Sequence, residues 1–112
     1  MSEKDRANLL AIIDSTNKIM SFTKDIIDVK AFFSDEKTFD AVLMNFVIIG
    51  ESVGRLTDKL KENATDIPWQ KIKGFRNLVV HDYFGVDAEE VWQIIQNDLK
   101  KLKEDIEQLV KV

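Results

Sequence analysis

Asp35–Asn63 reads DEKTFDAVLMNFVIIGESVGRLTDKLKEN, and the spacing of its apolar residues decides the fold class. Phe39, Val42, Leu43, Phe46, Val53, Leu56 and Leu60 follow a three-four rhythm, which gathers them on one face of a helix with about 3.6 residues per turn. The spacing predicts one long helix from near Asp35 to around Asn63. Upstream, Leu9, Ile12, Ile13, Ile19, Met20, Ile26 and Ile27 keep the same rhythm and predict a first long helix. Val29–Ser34 departs from it and reads as a short helical turn or loop, with Phe32 and Phe33 closing one end of the core.

Downstream, Asp66-Ile67-Pro68-Trp69 has the form of a helix start, because proline tolerates the first helical position, where its missing N–H costs little. A third, short helix follows from about Pro68 to Asp82. Gly85 falls in the next turn, and Asp87 with Glu90 has capping-box spacing ahead of a fourth helix. The stripe of that helix is Val91, Ile95, Leu99, Leu102, Ile106 and Leu109. Four glycines and one proline interrupt the chain, and no segment of useful length has a β period. The expected architecture is a single all-α domain over residues 1–112, an up-and-down bundle of four to five helices.

Composition narrows the function. At 112 residues and 45% hydrophobic, the chain can bury one core. It has no cysteine and one histidine, which excludes a disulfide framework and the familiar thiolate or multi-histidine metal centres. No metal and no cofactor is expected, since there is also no glycine-rich phosphate loop and no carboxylate cluster suited to two metals. The absence of a signal-like start and of an apolar run near ~18 residues predicts a soluble cytoplasmic protein with no membrane partner. The balance of 16 Lys+Arg against 20 Asp+Glu argues against a general nucleic-acid coat protein. An acidic chain that cuts RNA needs a locally positive cleft or a second subunit.

The third helix carries Arg76-Asn77-Leu78-Val79-Val80-His81-Asp82-Tyr83, with the chain's one histidine and one tyrosine. An arginine neutralises phosphate oxygens, and histidine is the side chain whose ordinary pKa suits proton transfer near neutrality. Those are the parts for cleaving a phosphodiester without a metal. Arg76 and Tyr83 fall nearly on one line if the helix continues that far, and Asn77 shares a face with His81, where its amide can fix the imidazole tautomer. Arg76 and His81 lie roughly 140° apart round the axis, a poor arrangement for one phosphate within one copy. Two copies about a two-fold axis can set the Arg76 of one beside the His81 of the other, so a catalytic motif implies a symmetric homodimer. Backbone carbonyls at the helix C-terminus favour a protonated imidazole. Asp82 is placed to tune His81, although a neighbouring carboxylate is as often simply solvated.

The motif resembles the signature of HEPN domains, in particular the HepT-like branch, whose motif reads Arg, four residues, His, one residue, Tyr. Ile49-Gly50-Glu51, Ile67-Pro68-Trp69, and Val86-Asp87 with Val91-Trp92 resemble further elements of that branch. The resemblance runs from about Phe32 to the C-terminus. It implies an all-α homodimer acting as a metal-independent endoribonuclease on RNA rather than DNA, usually the toxin of a toxin–antitoxin pair. The antitoxin it implies is a minimal nucleotidyltransferase (MntA) that silences the toxin by transferring AMP to the motif tyrosine. Carried over, Arg76 and His81 are catalytic, Asn77 supports them, and Tyr83 is the AMP acceptor.

Gly50 within a helix costs about 1 kcal/mol relative to alanine, which close packing of a neighbouring helix would offset. Glu51 is then placed either to pair with and orient Arg76 or to stand in solvent. Trp69 and Trp92 read as core or interface residues rather than base-stacking platforms, and Lys100, Lys101 and Lys103 as a salt-bridged face. Lys71 and Lys73, just before the motif, are the better candidates for phosphate contacts. The rival function is a non-catalytic helical module that binds a nucleotidyltransferase.

Overall fold

The computed structural model describes residues 1–111, and its helices order as α1 (Glu3–Thr23), α2 (Val29–Ser34), α3 (Glu36–Arg55), α4 (Asp58–Glu62), α5 (Trp69–His81), α6 (Ala88–Asn97) and α7 (Leu99–Lys111), with a 3-10 turn at Tyr83–Gly85 between α5 and α6. Among the described residues there is no strand, as the apolar rhythm predicts. The helix α3 packs between α1 and α5, α7 lies against α1, and α2 bridges α3 and α6. Leu9, Ile12 and Ile19 of α1 meet Val42, Leu43, Ile49 and Val53 of α3, Val91 of α6 and Ile106 of α7 in one core.

The local starts follow capping chemistry. Ser2, Asp28, Asp35, Thr57 and Asp87 each accept a hydrogen bond from a backbone N–H of the helix they precede. Asp87 takes its bond from the Glu89 amide at 3.0 Å, so the aspartate caps as expected.

Three expectations need correction. The long helix expected over residues 35–63 breaks at Leu56, whose backbone is extended, and restarts as α4 with Thr57 as its cap. The cause is tertiary. The buried carboxylate of Asp5 accepts hydrogen bonds from the Thr57 amide (2.9 Å) and hydroxyl (2.6 Å), which fixes the break against the start of α1. Burial alone pushes the Asp5 carboxyl up, but the Thr57 hydroxyl and amide and the Ser2 hydroxyl outweigh it and hold the group below its ordinary value. The stripe read as one fourth helix is likewise two, α6 and α7, parted at Asp98.

The third correction concerns the core list. Phe32 is wholly buried and packs on Phe39 and Trp92, with ring centroids 5.2 and 5.4 Å away. Phe33, one helical step further round, is exposed and meets Phe39 edge-on, with ring centroids 6.0 Å apart. Ile27 is exposed because α1 stops at Thr23. Trp69 and Trp92 do pack with the core, and Trp69 Nε1 donates to the Ala64 carbonyl at 3.0 Å.

No helix among the described residues is long and apolar enough to cross a membrane.

Candidate active site

The motif helix α5 approaches α3 where residue 50 has no side chain. A Cβ at Gly50 would overlap Cβ and Cγ of Arg76 and come within 3.5 Å of its Cα. The glycine therefore admits the helix that carries the arginine, the compensation its helix cost requires. One residue on, Glu51 receives that arginine. Arg76 donates from both Nε (3.1 Å) and Nη2 to the same oxygen, Oε1 of Glu51. Its Nη1 donates to Oδ1 of Asn77 at 2.8 Å. The guanidinium is half-buried and held on two sides, with N–H groups left over for an incoming phosphate. Of the two readings of Glu51, the structure has the paired one.

Asn77 is thus engaged by Arg76. It makes no hydrogen bond to His81 among the described residues, so the amide seen from sequence as an imidazole holder is a guanidinium holder here. His81 is the last residue of α5 and is exposed. The helix stops there, so Arg76 and Tyr83 are not aligned along one helical face; Tyr83 opens the 3-10 turn instead. No hydrogen bond joins Arg76 to His81 among the described residues, in keeping with the angle between them round the axis.

Asp82 caps α5 through its amide, which donates to the Leu78 carbonyl at 2.8 Å, while its side chain is exposed and makes no bond to His81. Its carboxylate fills the space beside Gly85 that a Cβ would need. Tyr83 donates its hydroxyl to Asp40 of α3. That bond, then burial, then the negative charges of Asp40 and Glu36 push the Tyr83 phenol up to about 12. Sequence reasoning gave no role to Asp40. Its signal was faint, an acidic residue on the polar side of a helix, with nothing in the sequence to say that a residue 43 positions away returns to it.

A groove of about 800 Å³ opens elsewhere, between α5 and the α6–α7 pair, lined by Ile72, Phe75, Leu78, Ile94 and Leu102 with Lys71 and Lys101 at its edge. None of Arg76, Asn77, His81 and Tyr83 lines it. Lys73 is exposed on α5. Among the described residues no group of three His, Cys, Asp or Glu side chains is arranged to hold a metal ion.

The model of the family described as ribonuclease HepT-like matches residues 12–109, a span that includes Arg76, His81 and Tyr83. The chain belongs to the HepT-like family. It is 35% identical over 108 residues to Putative RNase MJ1380 of Methanocaldococcus jannaschii, covering 96% of this chain and 98% of that one. It is also 32% identical over 111 residues to Probable ribonuclease HepT of Thermococcus cleftensis, covering 99% of this chain and all of the other. No solved structure gives a significant match. HepT-like membership agrees with the resemblance read from the motif and with the all-helical bundle.

Proposed function

We propose that this HepT-like chain is a metal-independent endoribonuclease toxin that cleaves RNA as a symmetric homodimer, with Arg76 and His81 as the catalytic residues. The observation that carries the reading is the Arg76 guanidinium, fixed by Glu51 and Asn77 on a half-buried helix face while His81 stands exposed at the helix end. A guanidinium held in this way is pre-organised for phosphate and for the charge that builds on its equatorial oxygens. Two such helices about a two-fold axis supply both an arginine and a histidine to each phosphate and double the positive charge of an otherwise acidic chain.

In the reaction, the ribose 2′-oxygen attacks phosphorus as the bond to the 5′-oxygen breaks. One His81 takes the 2′-hydroxyl proton, and the partner's His81 gives a proton to the departing 5′-oxygen. The chain's partner is a minimal nucleotidyltransferase antitoxin, which transfers AMP onto Tyr83. The attached nucleotide places bulk and negative charge where RNA phosphate has to sit. Relatives named as RNases across nearly the full length support the substrate class.

The test is expression of this chain alone, wild type against His81→Ala, with growth followed and total RNA run on a gel. Growth arrest and RNA fragmentation by wild type only are expected. Because His81 is exposed, the variant keeps its fold. Healthy growth with intact RNA in both strains, the proteins being soluble, would sink the nuclease and favour the nucleotidyltransferase-binding module.

A further inference from the structure

His81 is followed by a short turn that contains no buried residue, and Val86 just beyond it packs on the core. The 3-10 turn at Tyr83–Gly85 has local backbone bonds: the Gly85 amide donates to the Asp82 carbonyl (3.0 Å) and the Val86 amide to the Tyr83 carbonyl (3.3 Å). Phe84 is 98% exposed, and its ring meets that of Tyr83 edge-on, with centroids 5.4 Å apart. Among the described residues, the one side-chain hydrogen bond that ties this turn to the rest of the bundle is Tyr83 to Asp40. Asp40 stands on α3, one turn after Glu36 on the same helix.

We infer that Asp40 is a positioning residue that, through Tyr83, holds the His81 end of the site against α3, and that any ester made on the Tyr83 oxygen breaks this hold. An ionised carboxylate only accepts hydrogen bonds, so the bond exists because the phenol supplies the proton. Nucleotidyl transfer joins the phenolic oxygen to the α-phosphorus of a nucleoside triphosphate, releases pyrophosphate and gives up that proton. The donor is then gone. In its place a phosphodiester anion faces Asp40 and Glu36, and attraction becomes repulsion. Tyr83 leaves α3, the turn follows it, and the last turn of α5 loses the contact that kept it from fraying. Silencing then has a second route beside occlusion of the RNA phosphate: displacement of the histidine. The ester half rests on the reading of Tyr83 as the nucleotide acceptor, whereas the hold itself rests on the geometry alone.

Amide hydrogen exchange tests the hold without any partner. The readouts are the amides of Asp82, Gly85 and Val86 in wild type, Asp40→Ala, Tyr83→Phe and the double variant, with amides of the α1 core as the internal standard. Each single variant is expected to exchange about tenfold faster at those three sites, with the double no faster than either, because both remove one bond. Asp40→Asn, which keeps an acceptor oxygen, should restore part of the protection. O-methyltyrosine at position 83, which retains the oxygen and lacks the proton, should behave as Tyr83→Phe does. Fragmentation of total RNA should slow several-fold in Asp40→Ala. Unchanged exchange in Asp40→Ala and Tyr83→Phe, or effects that add in the double variant, would overturn the inference. RNA left intact by the wild-type chain would instead remove the nuclease reading and leave the exchange result to decide the hold.

Discussion

At its Arg76 position the motif helix lies so close to α3 that residue 50 has no room for a side chain, and the guanidinium is gripped by Glu51 and Asn77. At its His81 end the same helix runs out into an exposed turn tied to α3 through Tyr83 and Asp40. The first region is fixed by packing, which cannot be adjusted without cost. The second meets α3 through one exposed side-chain hydrogen bond, which a covalent change on the phenol would remove. Under the proposed function that division has a use: Arg76 would bind phosphate where the helix is held, and His81 would transfer protons where modification of Tyr83 can release it.

The division can be broken most severely at Gly50. Gly50→Ala puts a methyl group into Arg76 and should destabilise the fold by about 1–3 kcal/mol despite alanine's better helix propensity. For a chain of this size the thermal midpoint should fall by roughly 5–15 °C, read by circular dichroism. A variant as stable as wild type would mean that α5 can stand off from α3 freely. Glu51→Gln should cost less than about 1 kcal/mol of stability, since the pair is partly exposed to water. It should nevertheless slow RNA cleavage roughly tenfold by loosening the guanidinium. Wild-type cleavage there would show that Asn77 alone suffices.

The smallest effect belongs to the other end and can be read directly, because the chain has one tyrosine. Absorbance at the phenolate band should show Tyr83 ionising near pH 12, and Asp40→Ala should bring it back towards 10. The native chain keeps the phenolic proton above the pH at which the unfolded chain gives it up. The bond's contribution to stability is therefore whole below pH 10 and fades as the pH rises towards 12. Ionisation near 10 in the wild type would show that the tether to Asp40 is not held in solution.

Much of this was legible in the chain itself. The three-four spacing of Phe39, Val42, Leu43 and Phe46 needs only the helical period to predict their burial, and all four are buried. Gly50 announced a close helix, since an unexplained glycine costs helix stability that packing must offset. The break at Leu56 was less visible. Thr57 followed by Asp58 is a capping signal, but the apolar rhythm ran through it, and the deciding partner, Asp5, lies 52 residues away. Phe33 misled for a related reason: two adjacent aromatics cannot share one face of a helix, and the sequence did not say which faces inward.

What the sequence determined by itself is therefore what depends on local periodicity and local chemistry: an all-helical bundle, its apolar faces, and the Arg76, His81 and Tyr83 motif. What only the tertiary structure decided is which groups meet across helices: Glu51 with Arg76, Asp5 with Thr57, and Asp40 with Tyr83. The physical reason is range. A helix period repeats within a few residues and leaves its mark in the spacing, whereas a hydrogen bond between distant helices depends on how the packed elements are placed, which no single stretch of chain records.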